Sequence, residues 1–91
     1  MTEREAIVAK LAELLEAETG ASADALRGSE DVPLRDGLNI DSVDLVGVVM
    51  RVEEFYRIRL THEELAKVVT VRDLVDIIEA KRAAAALTPA A

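Results

Sequence analysis

Ile7, Val8, Leu11, Leu14 and Leu15 recur at helical spacing near the start of the chain, and Thr2 with Glu5 three residues later forms a capping-box pattern ahead of them. These positions predict a first helix from about Glu3 to Glu18. The periodicity then dissolves between Thr19 and Asp41, in a stretch that holds Gly20, Gly28, Pro33 and Gly37. A connection of that length is unusual in a small domain and is often functional. Ser22 is placed to cap a short helical turn near Ala23 to Leu26 within it. A second helix is predicted from Ser42 to about Tyr56, capped by Asp41 and with Asp44 adding negative charge to its first turn. Thr61 and Glu64 open a short third helix through about Val69, and Thr70 with Asp73 open a fourth, whose Val71, Leu74, Val75 and Ile78 share one face. Nothing repeats and no strand-like alternation occurs. The pattern predicts an all-α fold, a small four-helix bundle of three main helices and a short third one, with a long loop between the first and second helices. Ala83 to Ala91 is Ala-rich and broken by Pro89, and reads as a flexible tail behind a single domain spanning residues 1–82.

The second helix carries more apolar surface than one stripe requires. Leu45, Val48, Val49, Val52 and Tyr56 share a face at about 100° per residue and make the natural core stripe. Val43, Val46 and Met50 form another, on the side shared with Asp44, Gly47, Arg51 and Glu54. Apolar residues flanked by charges suggest a contact surface. Periodicity alone favours the plainer reading, that a small bundle buries this helix on most sides and the second stripe is simply more core.

Composition narrows the possibilities. The chain of 91 residues is 51% hydrophobic but 2% aromatic, so its core is built from Val, Leu, Ile and Ala. It has no cysteine, which removes disulfides and thiolate metal ligands together. The net charge of −7 argues against a nucleic-acid partner, because phosphate binding needs a cationic surface, and points to basic proteins instead. No apolar run approaches membrane-spanning length, and Met1-Thr2-Glu3-Arg4-Glu5 is too acidic and polar to begin a signal peptide. A cytoplasmic protein without membrane insertion is expected. Asp36, Asn39 and Asp41 hint at a calcium loop, but Gly37 falls in the wrong place and no glutamate closes the loop, so no metal site is expected. The only histidine, His62, falls in the first turn of the third helix, and Ile40-Asp41-Ser42-Val43-Asp44 lacks the glycines of a nucleophile elbow; serine hydrolysis is therefore disfavoured.

Ser42 remains the residue to explain. A serine following a capping aspartate is ordinary helix-start chemistry. The same position also exposes a hydroxyl where free backbone N–H groups and the helix dipole favour an attached negative group, such as a phosphate ester. The stretch "LNIDSVDLVGVVMRVEEFYRIRLTHEELAKVVTVRDLVDII" closely resembles the acyl carrier proteins of fatty acid and polyketide synthesis. It has their Asp-Ser followed by an aliphatic residue at a helix start, a Glu-Glu pair before aromatics, a short third helix, and a Thr-Val start to the last. The resemblance implies that Ser42 carries a covalent phosphopantetheine arm donated by coenzyme A, whose thiol holds acyl groups as thioesters. It also implies that Asp41 serves both as helix cap and as part of the motif read by the phosphopantetheinyl transferase. Val43, Asp44, Val46, Gly47, Met50, Arg51 and Glu54 become the surface that docks on acyl-loading, elongating or transferring enzymes with basic surfaces. Such a carrier is non-catalytic and is expected to be a monomer, since the chemistry belongs to the cofactor and the partners.

Three positions depart from the family pattern. Val43 stands for the motif's usual leucine, Gly47 stands where many members have an acidic residue, and Arg51 adds positive charge beside it. The anionic docking surface is thereby diluted, and Gly47 costs about 1 kcal/mol of helix propensity relative to Ala. Leu45, Val46, Val52 and Leu60 are candidate walls of an acyl pocket inside the bundle. Cargo stays open between fatty acyl, polyketide and aminoacyl groups, and an unmodified helical adaptor binding partners through Val43, Val46 and Met50 is the alternative from another class.

Overall fold

The computed structural model of the chain describes residues 2–20, 31–35 and 40–87. Among these residues four helices form: α1 (Glu3–Thr19), α2 (Ser42–Tyr56), α3 (His62–Ala66) and α4 (Val71–Leu87). The predicted turn near Ala23 to Leu26 lies outside the described residues. No helix is long and apolar enough to cross a membrane among the described residues.

The helix starts follow from local chemistry. Thr2 Oγ1 accepts from the Glu5 N–H at 3.1 Å while Glu5 Oε1 accepts from the Thr2 N–H at 3.3 Å, completing a capping box for α1. Thr61 and Glu64 repeat it for α3, at 3.1 and 2.8 Å. At α4, Asp73 Oδ2 accepts from the N–H groups of Val69 and Thr70, both at 3.0 Å, and its own N–H donates to Thr70 Oγ1 at 3.3 Å. α1 ends on Gly20 at φ 76°, left-handed geometry that glycine adopts without a Cβ penalty. α2 ends less easily, on Arg57 at φ 56°. Glu53 compensates there: its carbonyl accepts from the Ile58 N–H at 3.2 Å and its carboxylate from the Leu60 N–H at 2.9 Å, turning the chain toward α3.

α1 packs against both α2 and α4. Ile7, Leu11, Ala12 and Leu15 from α1 meet Val48 and Val52 from α2 and Leu74, Val75 and Ile78 from α4, all essentially without solvent exposure. Charged pairs frame this core: Arg4 binds Asp76 at 2.9 Å and also Glu79, Arg82 binds Glu3, and Lys81 reaches Glu64 on α3 at 3.0 Å. Neither aromatic residue is fully buried. Phe55 lies on the surface under the Lys10 ammonium, which stands 4.4 Å from its ring centroid, and half-buried Tyr56 lies under the Arg82 guanidinium.

Two boundaries differ from the sequence expectation. α3 stops at Ala66 rather than about Val69, because the backbone from Val69 to Val71 pairs with residues 32–34 instead of continuing the helix. The Leu34 N–H donates to the Val69 carbonyl at 2.9 Å and the Val71 N–H to the Val32 carbonyl at 3.0 Å, around an isolated antiparallel bridge between Pro33 and Thr70. α4 runs to Leu87, into the segment from residue 83 that the composition marks as tail. Alanine has the highest helix propensity, so Ala83 to Ala86 prolong an established helix without needing tertiary contacts.

Candidate functional site

Asp41 sits in extended backbone at φ −86°, ψ 179°, and its Oδ1 accepts from the Asp44 N–H at 2.8 Å. This N-cap sets where α2 begins and makes Ser42 its first residue, with an exposed side chain. Directly before the cap, Ile40 is buried, and its N–H donates to the Leu34 carbonyl at 3.1 Å. The helix start is thus tied to the 31–35 segment, which is itself pinned to the junction of α3 and α4. From that segment Arg35 reaches over, and its Nη2 donates to Ser42 Oγ at 3.1 Å.

Arg35, Ile40, Asp41 and Ser42 line an open depression around the hydroxyl. Arg35 and Ile40 also belong to the wall of a cleft of about 530 Å³, whose apolar lining comes from Leu34, Leu45, Leu65, Val68 and Val69. Of the four residues expected to form an acyl pocket, Leu45 alone lines this cleft. Val46 points to solvent at 51% exposure, Val52 is wholly inside the core, and Leu60 packs half-buried against the core. This cleft opens between α2, α3 and the 31–35 segment, and helix periodicity carries no information about that segment.

The second apolar stripe of α2 is not core. Val43 is 79% exposed and Met50 62%, while Asp44 is half-buried and Glu54 exposed beside them. Gly47 has a specific neighbour. A Cβ built at Gly47 would stand 1.9 Å from Glu18 Oε1, so the absent side chain leaves room for the Glu18 carboxylate of α1 to lie on α2. The same oxygen is 3.5 Å from Arg51 Nε. A carboxylate therefore occupies the space over Gly47, supplied from another helix, and it partly offsets the Arg51 charge. His62 is exposed at the start of α3. Asp36 and Asn39 lie outside the described residues, and among those described no cluster of three or more His, Cys, Asp or Glu is arranged to hold a metal ion. Sequence reasoning missed Arg35 and Glu18, because Glu18 acts on residues distant in the chain, Arg35 acts on Ser42 from a non-helical segment, and neither lies on a periodic face that points to its partner.

This geometry matches a family. The profile described as "Phosphopantetheine attachment site" aligns with residues 8–78. The acyl carrier protein of Micrococcus luteus is 32% identical over 83 residues, covering 91% of this chain and 100% of that protein. That of Renibacterium salmoninarum is 35% identical over 83 residues, with the same coverage of 91% and 100%. Among solved structures, the acyl carrier protein of Thermotoga maritima superposes with a TM-score of 0.79 at 30% identity, covering 88% of this chain and 91% of its own. An oxytetracycline acyl carrier protein superposes at 0.70 with 32% identity, covering 89% and 84%. The chain belongs to the acyl carrier protein family. Its cofactor is phosphopantetheine, and modification by a phosphopantetheinyl transferase and interaction with biosynthetic enzymes come with that membership. The residues at the start of α2 fit the group: an exposed hydroxyl, a cation within hydrogen-bond distance of it, and an apolar cleft opening alongside.

Proposed function

We propose that Ser42 is the attachment point of the phosphopantetheine arm and that the chain carries acyl groups as thioesters to successive enzymes without catalysing any step itself. The supporting observation is the exposed Ser42 hydroxyl on the first residue of a firmly capped helix, inside the aligned region of the family. On a partner transferase, Ser42 Oγ forms the new bond to the β-phosphorus of coenzyme A. The phosphoanhydride bond breaks, adenosine 3′,5′-bisphosphate leaves, and the hydroxyl proton passes to a base on the enzyme. Asp41 keeps Ser42 at this fixed position and offers a carboxylate for the transferase to read. The thiol at the end of the arm then supplies the thioester chemistry.

Val43, Val46 and Met50 make the docking surface, ringed by Asp44 and Glu54, and suit a partner with an apolar hollow edged by basic residues. Gly47 and Arg51 lie within that surface, with the Glu18 carboxylate over them. Relatedness to an oxytetracycline acyl carrier protein and to bacterial acyl carrier proteins supports fatty acyl or polyketide cargo. The protein acts as a monomer, so that the docking face stays open. The test is intact mass measurement after incubation with coenzyme A and a broad-specificity phosphopantetheinyl transferase. Wild type is expected to gain one phosphopantetheine mass and Ser42→Ala none. A folded wild type that gains nothing, beside a known carrier that does, overturns the assignment in favour of an unmodified adaptor.

A further inference from the structure

Arg35 is exposed but follows a residue whose backbone is anchored on two sides. Its neighbour Leu34 is 2% exposed, and Leu34 is hydrogen-bonded through its N–H to Val69 and through its carbonyl to Ile40. The backbone that carries Arg35 is therefore fixed to both the α3–α4 junction and the start of α2. The guanidinium then places Nη2 at 3.1 Å from the one atom that becomes the bridging oxygen of a phosphodiester, Ser42 Oγ. A planar fork of N–H donors suits two oxygens of one phosphate, and charge-assisted contacts of this kind are about twice as strong as neutral ones.

The surrounding charge makes such a contact useful. Ser42 stands between Asp41 and Asp44 on a chain of net charge −7, so the negative charge of a phosphodiester is introduced beside two carboxylates. Arg35 offsets it at the point of attachment. Arg35 also lines both the depression around Ser42 and the apolar cleft, whereas Val43, Val46 and Met50 line neither.

We propose that Arg35 binds the phosphodiester joining the arm to Ser42 and so turns the root of the arm toward the cleft between residues 31–35, α2 and α3, away from the exposed Val43–Val46–Met50 face. The inference rests on Ser42 being the attachment point. With the arm parked on the loop side, the docking face stays clear for a partner, and releasing the cargo requires breaking a screened but pre-organised ion pair.

The test uses wild type, Arg35→Gln and Arg35→Lys, each loaded to completion as judged by intact mass, with circular dichroism confirming the fold. In wild type, loading is expected to shift the Arg35 Nε–Hε resonance and slow its exchange with solvent. The phosphodiester 31P resonance is expected to differ between wild type and Arg35→Gln, and the difference to shrink as salt rises to about 1 M, where charges are screened within about 3 Å. Methyl shifts of Leu65 and Val68 on loading are expected to diminish in Arg35→Gln and to be partly restored in Arg35→Lys. Identical 31P and methyl shifts in wild type and Arg35→Gln overturn the proposal while leaving Ser42 as the attachment point. A wild type that never gains the arm removes the attachment reading, and this proposal with it.

Discussion

α2 presents two apolar faces that are chemically almost interchangeable and structurally opposite. Val48 and Val52 have no exposed surface, while Val43 is 79% and Val46 51% exposed, on one helix and with one residue type. Valine's own preference thus decides nothing about burial here. What decides it is whether another element lies opposite: α1 covers the first face, and among the described residues the Glu18 carboxylate over Gly47 reaches the second while Val43 and Met50 stay largely exposed. Burying a valine stabilises by roughly 1.5–3 kcal/mol, so leaving three aliphatic side chains in water forgoes a large term in a small domain. A partner that covers them recovers it.

Substitutions sharpen this contrast. The largest effect is expected from Val52→Ala, which opens a cavity in the core and should cost about 1–3 kcal/mol by chemical denaturation, whereas Val43→Ala should change stability by less than about 0.5 kcal/mol. Val43→Ala should instead slow loading by the transferase at unchanged stability. Equal destabilisation of the two variants would erase the distinction between the faces. Next is Asp41→Ala, which removes the hydrogen bond to the Asp44 N–H and should cost about 1 kcal/mol, with slower modification of Ser42 as its second readout.

Gly47→Ala tests the exposed side in the opposite direction. Alanine gains about 0.5–1 kcal/mol in a helix interior, and the Glu18 carboxylate that it displaces is the far end of a flexible side chain in a partly exposed ion pair of little net worth. The melting temperature should therefore rise, while affinity for a basic partner falls as Arg51 loses its counter-charge. A clear loss of stability would mean that the Glu18–Arg51 contact holds α1 to α2.

The smallest effect lies in the acid range, far from both faces. The Thr70 N–H, followed by that of Val69, holds the Asp73 carboxyl below its ordinary pKa, and the Thr61 N–H together with Lys81 does the same for Glu64. Both groups have a lower pKa folded than unfolded. Their contribution is therefore present above the ordinary carboxylate pKa and disappears as pH falls through the depressed folded values. Asp73→Asn should flatten the acid limb of a melting-temperature profile against pH. An unchanged limb would show that the cap of α4 contributes nothing electrostatic.

Much of the fold was legible because its determinants are local. The starts of α1, α2 and α4 and the cap at Asp41 each depend on a side chain meeting a backbone N–H three residues away, a spacing written directly in the chain. The cap alone makes Ser42 only an ordinary helix-start residue; its proposed role came from the resemblance of the surrounding stretch to acyl carrier proteins. The cleft beside Ser42 was less legible: Leu45 lies on a periodic helix, but Leu65, Val68 and Val69 line it together with the 31–35 segment, whose position periodicity does not give. The end of α4 was less legible because Ala83 to Ala86 carry no amphipathic pattern, and their high helix propensity extends the helix up to Leu87, short of Pro89.

By itself, then, the amino-acid sequence determined the four helices, their caps, an aliphatic core and a serine at a helix start, since these rest on interactions reaching no further than a turn or two along the chain. The tertiary structure decided which apolar face of α2 stays in water, where α3 ends, that Glu18 supplies the carboxylate over Gly47, and that Arg35 meets Ser42. Each of these depends on segments brought together by burial of the core, and burial is non-directional: it rewards any apolar residue that finds a cover, and only the assembled fold says which ones do.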